Sequence, residues 1–380
     1  MRRRAGPRNG VARRRAAAAA LTSALAGAFM GGVQAQDTAP GAAWQIELHS
    51  DRHSDALPLA AFNRDAWDAL SPRRGRNLIT VEDALRLSRR QGAWTWGLVA
   101  RSSATLVAGE QALRLAADVN AGRRPAGDEA TQVDVRLRGF TGAGLVLGRA
   151  HALGAGWQAT WEVQALSLGR WLERRFEGPV QYLAATGSYG FALRSSELDS
   201  RLDFPFRRDF AARGTGLLLA GALAWDGEFA WVRAGLRDGG WLRWRGVPQQ
   251  DATLNTATRA VDADGFLVYQ PLIEGRNTQT ARQRRQPWRS VLAVGARLPD
   301  GQQPGLRLEH VPGFGVLPAF TWAWPAAAPG GLSLGAQWQV HERRLGVAVG
   351  WRGFVLRAGA DRLDAAARSR EFAFGYVGAF

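Results

Sequence analysis

Apolar and polar residues alternate with a period of two in short runs through most of the chain. In QVDVRLR (132–138), Val133, Val135 and Leu137 oppose Gln132, Asp134, Arg136 and Arg138. In WQATWEVQA (157–165), Trp157, Ala159, Trp161 and Val163 oppose Gln158, Thr160, Glu162 and Gln164. VLPAFTWAW (316–324), LSLGAQWQV (332–340) and RLGVAVGWRG (344–353) repeat the pattern, with Gln337 and Gln339 on the polar side of the second. YLAATGSYGFAL (182–193) fits one further strand. Alternation of this kind predicts strands with two unlike faces. The best apolar run, LLLAGALAW (217–225), has nine residues, against about 20 for a spanning helix and about 9–11 for a tilted transmembrane strand.

Two architectures produce such strands. A soluble sandwich turns its apolar faces inward, whereas a membrane barrel turns them out to lipid and its polar faces into a lumen. Three features favour the barrel. Trp157, Trp225, Trp241, Trp288 and Trp324 stand at or near strand ends, as an interfacial girdle requires. The faces opposite the apolar ones carry Gly and Ala among the charges. The alternation also continues to the final residue, where a soluble domain usually frays.

The ending REFAFGYVGAF (370–380) places Phe372, Phe374, Tyr376 and Phe380 on one parity, interrupted by Gly378. It resembles the last strand of Gram-negative outer-membrane β-barrel proteins, which closes on the first strand and ends in an aromatic residue. Gly378 departs from that pattern, standing where a large apolar residue is usual. The resemblance implies a cell outer-membrane location, and an insertion signal in Phe372, Phe374, Gly375, Tyr376 and Phe380 that is read by the barrel-assembly machinery. It also implies contact with outer-membrane lipid and lipopolysaccharide.

The expected fold is therefore all-β, an antiparallel transmembrane barrel of about 12–14 strands, an even number by the barrel rule. WDGE (225–228) reads as a tight hairpin, because Asp-Gly suits a primed turn. The polar stretches 195–213, 247–264 and 274–287 read as loops. TVEDALRLSRR (80–90) reads as a short helix, with a capping-box-like start at Thr80 and Asp83 and late arginines suited to the helix dipole. The chain then divides into residues 1–35, an N-terminal segment 36–92 with a possible first strand at 43–49, and a barrel over 93–380.

Composition refines this picture at the start of the chain. Arg2, Arg3, Arg4, Arg8, Arg13, Arg14 and Arg15 precede an Ala-rich apolar run and Val33-Gln34-Ala35, the pattern of a secretory signal peptide. All 49 basic residues are arginine and the net charge is +16, yet acidic residues are interleaved throughout. Nucleic-acid binding would need cations clustered on one element, and none is expected. The absence of Cys excludes disulfides and thiolate metal sites.

Candidate chemistry is sparse. HSDRHSD (49–55) sets His49, Asp51, His53 and Asp55 on one strand face, an imidazole and carboxylate set able to hold a divalent metal. TGSYG (186–190) lacks the first glycine of a nucleophile elbow, so an enzyme is the less expected reading and no cofactor is implied. Side chains expected to line the lumen are Asp134, Arg136, Arg138, Gln158, Glu162, Gln164, Arg289, Arg297, Arg307, Glu309, Gln337 and Gln339. Buried charges need water or partners, so that lumen is either wet or filled by a paired network. The function expected is a narrow pore or transporter for small polar or anionic solutes. The alternatives are a non-conducting barrel with an envelope-assembly or loop-presenting role and, less expected, a lipid-modifying enzyme.

Overall fold

The computed structural model describes residues 43–62, 69–257, 259–261, 267–269, 271–326 and 331–378. The expected signal peptide, 1–35, and Phe380 of the expected insertion signal lie outside the described residues. The strands are β1 (Ala43–Ser54), β2 (Arg76–Gln91), β3 (Trp94–Gly109), β4 (Glu129–Gly154), β5 (Trp157–Leu183), β6 (Ser188–Asp199), β7 (Gly214–Asp226) and β8 (Ala230–Asn255). A short pair follows, β9 (Arg259–Val261) and β10 (Leu267–Tyr269), and then β11 (Ile273–Gln286), β12 (Arg289–Ala296), β13 (Gln303–Val311) and β14 (Gly315–Trp324). The last four are β15 (Ser333–Gln339), β16 (Arg344–Trp351), β17 (Phe354–Ala360) and β18 (Ser369–Gly378), and one helix, α1 (Glu110–Asn120), joins β3 to β4.

Neighbouring strands pair antiparallel, and β18 pairs with β1 from Trp44↔Gly378 to His53↔Ser369. The sheet is thereby closed, which leaves no edge along that seam. β6 and β7 pair with successive parts of both β5 and β8, and so act as one interrupted strand. β11 and β12 do the same along β8. The result is a closed barrel of 14 strands.

Side-chain exposure fixes which face is outside. Leu98 and Leu145, cross-strand neighbours, are 56% and 63% exposed, while Glu82 and Glu162, on the other face, are 8% and 4% exposed. Trp322 and Trp338, at 39% and 42%, stand on the outer wall rather than inside a two-layer core. Phe372, Phe374 and Tyr376 share that outer face; Tyr376 packs on Phe354 at 4.5 Å, and Gly375 pairs across the seam with Glu47. A closed barrel, apolar outside and charged inside, satisfies its backbone in lipid. The chain is an outer-membrane-type β-barrel.

Both described chain ends, at Ala43 and Gly378, lie at one end of the barrel. There β2–β3, β4–β5, β7–β8 and β16–β17 are joined by tight turns, whereas the opposite end carries connections 55–75, 110–128 and 256–272. Short turns mark the periplasmic side and long loops the outside. β4, β5 and β8, with 26, 27 and 26 residues, rise well above the rest, since β13 to β18 have 7–10 residues each. With β6 and β11 they form a one-sided palisade on the outer rim, and α1 covers its back through Ala112 and Leu115 against Val133, Val180 and Leu193.

Five sequence expectations need correction. Residues 80–90 are strand, not helix: Val81, Leu85 and Leu87 face out and Glu82, Ala84 and Arg86 face in, paired with both β1 and β3. The cap-like Thr80 and Asp83 lose to two full ladders of interstrand bonds. The barrel accordingly includes β1 and β2, ahead of the boundary at residue 93. Residues 274–287 are mostly β11, polar on both faces because it stands in the palisade, above lipid. Finally, 182–193 is a hairpin turning at 184–187, and β8 extends through Asn255 into the expected loop 247–264.

Candidate functional site

The inward residues of opposite walls meet at mid-barrel in a carboxylate–guanidinium lattice. Arg237 of β8 bridges Glu82 of β2 at 3.0 Å and Glu309 of β13 at 2.6 Å. Arg289 of β12 also pairs with Glu82, and Arg307 binds Glu309 at 2.6 Å. Arg101 of β3 holds Asp238 at 2.7 Å and reaches Gln164, which in turn binds Glu162 at 2.7 Å. Arg86 closes this branch on Glu162 at 2.7 Å. Nearer the outer rim Arg344 of β16, 1% exposed, holds Asp51, Glu342 and Glu371 at 2.6, 3.0 and 3.3 Å, and Arg357 shares Glu371. Buried charges persist only when partnered, and here each carboxylate has at least one guanidinium.

Part of the lumen wall is apolar instead. Val99, Phe140, Leu166, Leu168, Trp171, Leu198, Leu218, Leu242 and Trp244 form one cluster on the β3–β8 side. Residues 200–213, where β6 breaks from β7, fold against it through Phe210 and Ala211, and Trp244 Nε1 donates to the Ala211 carbonyl at 2.7 Å.

Three cavities lead into the lattice from outside. The widest, about 600 Å³, lies against the inner face of the palisade and is lined by Arg136, Arg138, Glu173, Arg175, Arg194, Asp251, Arg276 and Arg284. Arg136 and Arg138 also line the second, of about 250 Å³, which reaches Asp238 and Arg289. Arg289 and Val311 lead to the third, of about 60 Å³, among Glu82, Arg237, Glu309 and His341. The path thus narrows to the lattice. In the widest cavity Arg136, Arg175 and Arg284 are paired with Asp134, Glu177 and Glu173. Arg138, Arg194 and Arg276 are exposed and have no carboxylate partner among the described residues.

The strand register places the expected lumen residues as follows. Arg136 and Arg138 face into the palisade cavity, Asp134 lines the second cavity beside them, and Glu162, Gln164, Arg289, Arg307 and Glu309 enter the lattice. Gln158 shares the parity of Glu162, and Arg297 binds Asp226 near the periplasmic turn. Gln337 and Gln339 lie on the inner face of β15, and Gln339 lines the smallest cavity. The lattice residues missing from the sequence reading are Glu82, Arg86, Arg101, Arg237, Asp238, Glu342, Arg344, Arg357 and Glu371. Alternation within 80–90, read as strand, carries the signal for the first two.

The expected metal set separates. Asp51 is taken by Arg344, and His49 faces the smallest cavity. His53 and Asp55, both fully buried, are joined instead by His341, 286 positions away in sequence. The Asp55 carboxylate accepts from His53 Nε2 at 3.0 Å, His341 Nε2 at 2.9 Å, the Leu78 amide at 2.8 Å and Arg73 at 2.9 Å. The three side chains could hold a metal ion, but Arg73 already neutralises the carboxylate. His53 Nδ1 is also buried without a partner among the described residues, so it lacks there the acceptor that a metal-bound imidazole normally uses to orient its second nitrogen. The arrangement is that of a latch fastening loop 55–75 to the β15–β16 turn.

Burial alone would raise the Asp55 carboxyl; the bonds from His341, His53 and Leu78 outweigh it and hold it well below the ordinary carboxylate range. A depressed folded pKa stabilises above the unfolded value, about 3.9, and that contribution is lost as pH falls below it. Asp55→Asn should therefore speed tryptic cleavage after Arg73 at neutral pH. The difference from wild type in unfolding free energy should shrink steadily below about pH 4; a gap independent of pH would contradict the latch.

No protein-family model matches the chain, and no curated protein matches it. Among solved structures it is similar to the TodX deltaS2S3 mutant monoaromatic hydrocarbon channel, at 9% identity over 95% of this chain and 99% of that one, with a TM-score of 0.46. The toluene transporter TodX of P. putida is 9% identical over 90% and 91% of the two chains, with a TM-score of 0.39. The toluene transporter TbuX of Ralstonia pickettii is 7% identical over 95% of each, with a TM-score of 0.34.

Proposed function

We propose that the barrel is a low-conductance transport channel for small polar, anionic solutes. The observation that supports this reading is the tapering path of about 600, 250 and 60 Å³, whose outermost cavity carries the unpaired Arg138, Arg194 and Arg276. Unpaired guanidiniums in a concave, partly water-excluded wall raise the local concentration of anions. Inside, an arriving carboxylate or phosphate can exchange for Glu309 or Glu82 on Arg237 and Arg289, passing from one guanidinium to the next. Rings and ladders of charge select ions in this manner.

Refolded barrel in a planar bilayer should give small, anion-selective unitary currents. Arg138→Gln combined with Arg276→Gln should lower the anion-to-cation permeability ratio by several-fold, read from the reversal potential in a salt gradient. An unchanged ratio would refute the role given to these cations. The closed lattice at mid-lumen favours the second reading, a non-conducting barrel that presents its loops. Complete absence of current at any applied potential, from correctly folded protein, would establish that reading instead.

A further inference from the structure

The lipid-facing wall carries a second group of arginines, and it lies at one height. Along β8 the outward residues run Val232, Ala234, Leu236 and, after the bulge at Asp238–Gly240, Trp241. From Ala230 to Trp241 the strand climbs about 28 Å at the usual rise and barrel tilt, close to the roughly 25 Å apolar band of such barrels. Trp241 therefore marks the outer interface. Trp288 lies beside it, seated over Gly239, where a Cβ would overlap the indole.

Directly above Trp241 stand Arg243 and Arg245, and Arg285 is paired across from Trp241 on β11. Arg243 in turn neighbours Thr215 of β7, and Arg213 lies two residues further on. All four arginines are exposed and have no carboxylate partner among the described residues. The nearby outward arginines Arg52 and Arg174, by contrast, are paired with Asp83 and Glu197. Cations aimed at solvent would serve anywhere on the loops; these four sit where an outer leaflet places its headgroups.

A groove adjoins them. On the outer wall of β2 to β5 the small residues Ala100, Ser102, Ala143 and Ser167 leave a shallow trough of about 460 Å³, floored toward the membrane by Leu48 and Leu85 and bordered by Arg213. Ser167 pairs with Thr215, and Thr215 with Arg243, so trough and cations are continuous. An acyl-sized channel ending at a cluster of guanidiniums matches an amphiphile with phosphate on its head and hydrocarbon in its tail. Arginine is suited to phosphate because its planar fork binds two oxygens at once.

We infer that Arg213, Arg243, Arg245 and Arg285 bind the phosphates of a diphosphorylated glycolipid of the outer leaflet, of the lipid A type, with one acyl chain in the adjoining trough. This site is on the outside of the barrel and does not depend on transport through the lumen.

The test is binding of diphosphoryl lipid A to refolded full-length barrel in detergent micelles, followed by native mass spectrometry. Wild type should retain one lipid A molecule, and Arg243→Ala/Arg245→Ala/Arg285→Ala should bind it at least tenfold more weakly. Arg174→Ala, on the same face but already paired, should bind as wild type does. Because the three arginines of the triple variant have no carboxylate partner among the described residues, its heat-modifiable migration on gels should match that of wild type. Ala143→Leu, which fills the trough, should weaken lipid A binding while leaving inorganic phosphate without effect as a competitor at equal concentration. Equal binding by wild type and the triple variant overturns the inference. So does equal binding of dephosphorylated lipid A, or of phosphatidylglycerol, by wild type.

Discussion

Replacing Arg344 by methionine lowers the unfolding free energy of the barrel by about 3–5 kcal/mol, the usual cost of removing one partner from a buried ion pair. Methionine fills a similar volume, so the loss is electrostatic and not a cavity effect. Arg344 is the shared partner of Asp51, Glu342 and Glu371. Glu371 keeps Arg357 and Glu342 keeps the Ser369 hydroxyl, whereas Asp51 loses the only guanidinium bound to it among the described residues. The deficit should shrink in acid, because abandoned carboxylates relieve the strain by taking up protons. Burial already pushes Glu342 upward, so it should be first to do so. Equilibrium urea unfolding in lipid vesicles, followed by tryptophan fluorescence at pH 8 and pH 5, measures both effects. Adding Asp51→Asn to the variant should restore part of the loss at pH 8; no recovery would mean that Arg344 acts through packing.

Trp244→Ala should cost about as much, roughly 3–5 kcal/mol, for a different reason. Its ring is 2% exposed within the apolar cluster of the lumen wall, and its indole nitrogen holds the Ala211 carbonyl. Truncation opens a cavity beneath Phe210 and unfastens residues 200–213. Trypsin should then cut after Arg207, Arg208 or Arg213 at least tenfold faster than in wild type. Trp244→Phe retains most of the packing and loses one hydrogen bond, about 0.5–1.5 kcal/mol. An equal rate of cleavage in Trp244→Ala and wild type would mean that the excursion is held elsewhere.

Strands such as β14, β15 and β16 are legible in sequence because lipid faces one side and small or amide residues face the other. β2 is not, because Asp83 and Arg89 interrupt its outer face and the start of the segment mimics a helix cap. β11 is hidden for the opposite reason: standing above the membrane, it has no lipid to demand an apolar face. The turn at 184–187 escapes notice because alternation continues on both sides of it. Side chains on recognised strands, such as Glu162, Arg289 and Glu309, can be assigned by parity alone. His341 cannot be assigned to His53 and Asp55, since only closure of the barrel brings the two ends of the chain together. Arg344 is hidden in the same way, as its partner Asp51 lies across that seam.

The palisade has a consequence for traffic over the cell surface. Its concave side looks across the low rim formed by β13 to β18, while its convex side is backed by α1. A solute drifting in over the low rim meets the guanidiniums broadside, and one approaching from behind meets a shield. On the transport function proposed above, capture is therefore directional in the plane of the membrane. Neighbouring proteins or long sugar chains crowding the low side would throttle entry without ever touching the lumen.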